Sequence, residues 1–214
     1  MRNDDFPMVP TREHITGLIL AGGRGLRMGG ADKGLMPLDG RPMVEYVIQR
    51  LRSQVEDILI SANRNHEQYA EFGYRVIPDT SEGFLGPLAG VASGLHAAKT
   101  EYVLTVPCDS PLIGDDLAAR LGQALMRDAT ELAVAHDGRQ PQRSFLLLRR
   151  SLLSDLTAFL ASDERKVQHW LAQNRVATAD FRDCPEKFAN IDDPSEYQAI
   201  EALLQEKADA MLVR

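Results

Sequence analysis

Residues 15–23 read ITGLILAGG, an apolar run that ends in two glycines. A short apolar run bounded by glycine is typical of a strand buried on both faces of a sheet. Similar runs follow at 57–62 (DILISA), 74–77 and 102–106 (YVLTV), with longer segments of helical periodicity between them. Strands that alternate with helices predict a mostly parallel sheet with helices on both faces. Ligands bind such sheets outside the carboxyl ends of the strands, so the loops after these runs form the candidate site.

The rest of the chain continues this alternation. We predict further strands at 131–135 and 143–148, and helices at 42–54, 66–72, 87–98, 115–127, 151–161, 164–172 and 194–205. A chain of 214 residues is close to the size of one domain. We therefore expect a single domain over 15–205, flanked by an N-terminal tail (1–14) and a C-terminal tail (206–214).

The composition excludes several classes of function. The chain has 24 basic and 31 acidic residues, a net charge of −7, which argues against a nucleic-acid-binding protein because such proteins need a basic face. No apolar run approaches the roughly 20 residues of a membrane helix, and the N-terminus lacks the apolar core of a signal peptide. Two cysteines, Cys108 and Cys184, are too few for a disulfide framework, which indicates free thiols in a reducing compartment. We expect a cytoplasmic protein without a membrane partner.

The loop after the first strand combines glycines with cations. Residues 20–33 read LAGGRGLRMGGADK, with five glycines and three basic side chains. Glycine lets backbone N–H groups approach a ligand closely, and successive N–H groups form a nest for anions. The dinucleotide motif G-x-G-x-x-G would need glycine at Met28, and the P-loop would need lysine at Ala31. The segment is therefore predicted to bind phosphate in a third way.

Polar residues also follow the next strands. Asp109 lies just past the strand at 102–106, where a lone carboxylate suits Mg²⁺, which binds one or two protein carboxylates together with water and phosphate oxygens. The alternative for Asp109 is a turn aspartate before Pro111. Asn63, after the strand at 57–62, has two interpretations as well: a cap for the helix at 66–72, or a contact to a base or ribose.

Three segments together resemble the signature of the molybdenum cofactor guanylyltransferase family of nucleotidyltransferases: LAGG at 20–23, RMGG at 27–30 and DKGL at 32–35. The similarity extends over about 15–204, through DGRPM at 39–43, Asn63-Arg64, Asp79, GPLAG at 86–90, PCDSP at 107–111 and FANIDDP at 188–194. The resemblance implies a Rossmann-like nucleotidyltransferase fold. It also implies an enzyme that transfers GMP from GTP to the terminal phosphate of molybdopterin and releases pyrophosphate.

The resemblance assigns roles to the matching residues. It implies catalytic roles for Arg27, Lys33 and Asp109, with Mg²⁺ on Asp109. It places Asn190 and Asp192 on the molybdopterin side, although Asp192 and Asp193 replace the Asn-Thr of the family's usual closing motif. A carboxylate is less suited than an amide to a phosphorylated substrate. The implied GTP-binding residues are Leu20, Ala21, Gly22, Gly23, Lys33, Asn63, Asp79, Leu88 and Asp109.

Two alternatives remain open on the sequence. One is a molybdopterin cytidylyltransferase that uses CTP, although GPLAG at 86–90 resembles the guanine branch. The other is a non-catalytic nucleotide-binding regulatory domain, which would be free to lose Lys33 or Asp109. In either catalytic case the expected partners are the nucleotide and molybdopterin, with transient contact to other cofactor-biosynthesis proteins or target molybdoenzymes.

Overall fold

The computed structural model describes residues 8–23, 29–78 and 86–212. In chain order, its strands are β1 (Ile15–Leu20), β2 (Pro37–Leu38), β3 (Arg41–Pro42), β4 (Asp57–Ser61), β5 (Arg75–Ile77), β6 (Tyr102–Pro107), β7 (Leu132–His136), β8 (Pro141–Arg149) and β9 (Val176–Asp180). Its α-helices are α1 (Met43–Leu51), α2 (His66–Ala70), α3 (Pro87–Ala97), α4 (Leu117–Asp128), α5 (Leu153–Ala161), α6 (Val167–Gln173) and α7 (Pro194–Leu212). Short 3-10 helices form at Arg12–His14, Lys33–Leu35, Arg150–Leu152 and Pro185–Phe188.

Seven strands form one mixed sheet in the order β5-β4-β1-β6-β8-β7-β9, and β2 and β3 form a separate hairpin. Strand β1 is parallel to β4 and β6, β4 is parallel to β5, and β7 is parallel to β9. Strand β8 is antiparallel to both of its neighbours, β6 and β7. The mostly parallel sheet predicted from the sequence is confirmed, and the antiparallel insertion of β8 is the feature that the alternation did not show.

Helices cover both faces of the sheet, as predicted. Along β1, Ile19 contributes to a core that includes residues of α1 and α4, while Leu18 contributes to a core that includes residues of α3, α5 and α6. The small residues of α3 allow a close approach, because a Cβ at Gly94 would collide with the Leu18 side chain. Trp170 of α6 is fully buried in this second core.

Several boundaries differ from the sequence prediction. Pro42 ends β3 instead of starting the helix, which spans Met43–Leu51. Helix α7 continues to Leu212, through most of the segment predicted as a C-terminal tail. Of the predicted N-terminal tail, the structure describes residues 8–14, which include the buried Pro10 and the 3-10 helix Arg12–His14. Among the described residues, no helix is both long and apolar enough to span a bilayer.

Candidate active site

The carboxyl ends of three parallel strands meet at one edge of the sheet. Leu20 at the end of β1 pairs in register with Ser61 of β4 and with Pro107 of β6. Bonding continues one residue further, because the Cys108 N–H donates to the Leu20 carbonyl (3.1 Å) and the Ala21 N–H donates to the Ser61 carbonyl (2.8 Å). A nucleotide bound at Leu20 or Ala21 must therefore contact other backbone atoms of these residues.

Two distant parts of the chain converge on Lys33 at this edge. The Lys33 Nζ donates to Asp109 Oδ2 at 2.9 Å and also makes a short hydrogen bond to Asp192 Oδ1. The Asn190 amide donates to the other carboxylate oxygen of Asp192 at 2.7 Å. Asp192, which the resemblance placed on the molybdopterin side, therefore lies beside Lys33 and Asp109, two of the three residues expected to be catalytic.

The charges of this cluster are mutually dependent. Burial lowers the pKa of Lys33, but the hydrogen bond to Asp192 and the charge of Asp109 outweigh burial, so the pKa of Lys33 is raised above its ordinary value. Burial raises the pKa of Asp109, whose side chain is 15% exposed, and the adjacent Lys33 only partly opposes this effect. Asp109 is thus a largely buried carboxylate held next to an ammonium group. An aspartate that only formed a turn at the surface would need neither the burial nor the charged partner.

Apolar residues anchor the segment 188–192, which carries Asn190 and Asp192. The ring of Phe188 packs edge-on against Phe145 and Phe181, with centroids 4.9 and 5.0 Å apart. Ile191 is fully buried, and its N–H donates to the Asp109 carbonyl at 3.0 Å. Asn190 and Asp192 flank this buried residue and are only partly buried, as alternation along an extended segment predicts.

Asp193 has a different role from Asp192. Its Oδ1 accepts from the N–H groups of Ser195 (2.8 Å) and Glu196 (3.0 Å), and Glu196 Oε2 accepts in return from the Asp193 N–H (3.2 Å). Such reciprocal bonding is typical of a capped helix start. The carboxylate that replaces the threonine of the family motif therefore stabilises the start of α7.

A second cluster of polar side chains forms around Asp32, near the end of the glycine-rich segment. Asp32 Oδ1 accepts from the Tyr69 hydroxyl (2.6 Å) and Oδ2 accepts from the Asn65 amide (2.9 Å). Burial raises the pKa of Tyr69, so the phenol stays protonated and donates. Burial also raises the pKa of the Cys108 thiol, which packs in the core and lacks the lowered pKa of a nucleophilic cysteine. Gly34 fits closely here, because a Cβ on it would meet the Tyr69 hydroxyl and Cys108.

Arg64 also belongs to this region, although the motif Asn63-Arg64 implied no role for it. Its guanidinium donates to the carbonyls of Gly30 (2.7 Å), Ala31 (2.8 Å) and Gly23 (3.2 Å), and Nε lies 3.4 Å from Asp32 Oδ2. The sequence did contain a signal for such a role. Arg64 comes two residues after Ala62, where the predicted strand ends, so it lies at the same edge of the sheet as the glycine-rich segment.

The other predicted nucleotide contacts are placed as follows. The Asn63 amide lies next to Gly22, 3.1 Å from where a Cβ on that glycine would stand. Leu88 is fully buried, so only its backbone, in the first turn of α3, can reach a ligand. The Ala89 N–H, also in this first turn, donates to the Gly86 carbonyl at 3.3 Å. Arg27 and Asp79 lie outside the described residues.

A glycine-rich turn, a lysine and a buried carboxylate at the ends of parallel strands define an α/β nucleotidyltransferase. A family model described as the MobA-like NTP transferase domain matches residues 17–178, and the chain belongs to this family. This confirms the resemblance drawn from the motifs at 20–35.

Individual relatives agree with this assignment. A molybdenum cofactor guanylyltransferase of Shewanella sp. (strain MR-4) is 48% identical over 188 residues, 88% of this chain and 95% of the relative. The protein of that name from Shewanella halifaxensis (strain HAW-EB4) is 45% identical over 194 residues, 90% of this chain and 97% of the relative. The crystal structure of molybdopterin-guanine dinucleotide biosynthesis protein A from Archaeoglobus fulgidus superposes with a TM-score of 0.77 at 16% identity, covering 89% of this chain and 99% of that one. The last comparison confirms the predicted fold.

Proposed function

We propose that this protein transfers GMP from GTP to the terminal phosphate of molybdopterin and releases pyrophosphate. The observation that carries the proposal is Lys33, held between Asp109 and Asp192 beside the glycine-rich segment. The two guanylyltransferase relatives, alike over nearly their whole length, support the choice of nucleotide and acceptor.

Lys33 is suited to binding the triphosphate. Its raised pKa keeps the ammonium group charged, and two carboxylates hold it at the edge of the sheet. Nucleotidyl transfer depends mainly on positioning and on neutralising charge. The attacking phosphate is already an anion, so the protein needs no general base, and none of its residues has to accept a proton in the transfer.

The residues around Lys33 also fit a magnesium ion. Asp109 and Asp192 offer carboxylate oxygens and Asn190 offers an amide oxygen, which are the hard ligands that Mg²⁺ takes in small numbers. We propose that Asp109 and Asp192 hold Mg²⁺, which when bound supplies neutralising charge to phosphate oxygens. Among the described residues, no three His, Cys, Asp or Glu side chains are grouped for a metal.

Nucleotide preference provides the sharpest test of the proposal. With molybdopterin as acceptor and Mg²⁺ present, pyrophosphate release should be measured with GTP, CTP and ATP. A site built on hydrogen bonds to the base rejects the wrong base at about 1–3 kcal/mol per unpaired group, so two such groups predict a kcat/KM for GTP about a hundredfold or more above that for CTP.

Two results would overturn the proposal in different ways. Equal use of GTP and CTP would favour the cytidylyltransferase. Binding of GTP without pyrophosphate release, with molybdopterin and Mg²⁺ both supplied, would favour the regulatory domain. Ligand-dependent thermal stabilisation separates the second result from a simple failure to bind.

The compartment and the protein partners complete the proposal. Cys108 and Cys184 are free and buried, which suits the reducing cytoplasm that we propose. We propose transient contact with other cofactor-biosynthesis proteins or target molybdoenzymes, because the product is a cofactor that has to reach them.

A further inference from the structure

We propose that Arg64 is a positioning residue that holds the two ends of the glycine-rich segment, residues 20–23 and 29–33, in the arrangement that receives the triphosphate. The inference rests on the proposed function for its substrate, GTP. Arg64 acts through the backbone of the segment, so it is not itself a catalytic residue.

The geometry of Arg64 carries the argument. Its Nη2 donates to the carbonyls of Gly23 and Ala31, and its Nη1 donates to the carbonyl of Gly30. Gly23 precedes the central part of the segment, whereas Gly30 and Ala31 follow it. One guanidinium group therefore fixes the distance between the two ends of the segment.

Arg64 is itself held in place by a buried carboxylate. Asp32 is only 7% exposed, lies 3.4 Å from the Arg64 Nε, and accepts hydrogen bonds from Tyr69 and Asn65. All three of its partners follow β4 or lie in α2, so one stretch of chain orients both Arg64 and Asp32. Lys33 directly follows Asp32 in the chain. The contacts that hold Asp32 therefore also position the backbone of Lys33.

The bonding pattern requires arginine and not only a positive charge. Guanidinium is a planar fork with five donors, whereas an ammonium group is a compact point charge on a flexible stem. Here the donors are used on three carbonyls, and the charge faces Asp32. Most of the Nη donors of Arg64 are thus committed to the backbone, and lysine, whose donors share one nitrogen, does not reproduce the fork that spans Gly23 and Gly30.

The test compares Arg64→Ala and Arg64→Lys with wild type. Arg52→Ala is the matched control, since Arg52 lies exposed just after α1. Amide hydrogen exchange of the nucleotide-free protein reports on the segment without any turnover. We expect faster exchange over residues 20–34 in both Arg64 variants, with unchanged exchange over β6 and in Arg52→Ala. Steady-state kinetics should show a KM for GTP raised about tenfold or more in both variants, because several hydrogen bonds that preorganise the segment are lost.

Chemical rescue adds a readout that general damage to the fold would not give. Guanidinium ion should restore part of the GTP affinity of Arg64→Ala but should leave Lys33→Ala unchanged. Wild-type rates in Arg64→Lys, or weaker GTP binding without faster exchange at 20–34, would show that Arg64 acts by charge on the phosphates and would overturn the inference. Absence of wild-type turnover would instead count against the proposed function, while the exchange result would still decide the role of Arg64. If Arg64→Ala does not fold, Arg64→Lys carries the same comparison.

Discussion

The contact between Gly34 and Tyr69 predicts a strong energetic coupling between two substitutions. A Cβ at Gly34 would fall well inside van der Waals contact of the Tyr69 hydroxyl, and 3.1 and 3.2 Å from Cβ and Sγ of Cys108. Tyr69 is fully buried and its hydroxyl donates to Asp32, so it cannot move aside without loss. Replacing glycine by alanine can stabilise a protein by about 0.4–1 kcal/mol through the unfolded state, whereas overpacking costs about 1–3 kcal/mol. Weakening a hydrogen bond to a carboxylate adds about 1 kcal/mol or more, so Gly34→Ala should lower the free energy of unfolding by about 2 kcal/mol.

Removing the hydroxyl should relieve most of this cost. In the Tyr69→Phe background the closest atom is gone, and Gly34→Ala should cost less than about 1 kcal/mol. Urea unfolding of the four proteins, followed by the fluorescence of the single, fully buried Trp170, measures both values. Additivity of the two substitutions within about 0.5 kcal/mol would refute the steric argument, because residues in contact should couple by more than that. Gly23→Ala is the control, since a Cβ there would meet nothing within 4 Å.

Three further predictions follow from the ion pairs. Asp109→Asn keeps the shape of the side chain, so the melting temperature should stay within a few degrees while pyrophosphate release falls about a hundredfold or more; near-normal release would remove Asp109 from the proposed magnesium site. Lys33→Ala should lower the saturated rate more than it weakens GTP binding measured by titration, since the ammonium group meets more charge as pyrophosphate departs; lost affinity with an unchanged saturated rate would mean uniform binding. A bidentate hydrogen bond from Arg120 lowers the pKa of Asp183 to about 2. This pair therefore stabilises the fold above the unfolded pKa of about 4, and the contribution is lost as the pH falls through about 2. The difference in free energy of unfolding between wild type and Asp183→Asn should accordingly shrink between pH 4 and pH 2 in urea titrations. A difference that stays constant over this range would contradict a pKa lowered by Arg120.

The sequence predicted the half of the sheet that carries the candidate site. Strands β1, β4 and β6 are apolar runs with clear ends, and the rule that ligands bind beyond such ends placed Asn63 and Asp109 at one edge. Strand β9 was missed because its apolar residues, Val176 and two alanines, are small and give weak hydrophobic contrast with Thr178 and Asp180, although burial alternates along the strand. The antiparallel direction of β8 could not be derived from the pattern, since periodicity carries no information on strand direction.

The contacts within the site were harder to predict from the sequence than the location of the site. Lys33 and Asp192 are 159 positions apart, and no local pattern records their pairing. The resemblance placed Asp192 on the molybdopterin side, apart from the catalytic residues, whereas packing of Phe188 and Ile191 brings its carboxylate to Lys33. Arg64 was noted as part of a motif, yet its bonds go to backbone carbonyls, whose positions depend on the folded loop and not on side-chain identity.

The separation of Lys33 from Asp192 has a consequence for the growing chain on the ribosome. Synthesis runs from the amino end at about 5–20 residues per second, so Asp192 follows Lys33 by about 10–30 s. Throughout that interval a nascent chain can present the glycine-rich segment, and later Asp109, without the second carboxylate. The charge cluster is completed only when the segment from Phe188 to Asp192 has been made and docked, so the earlier part of the sheet can fold before the nascent protein holds its full set of charges.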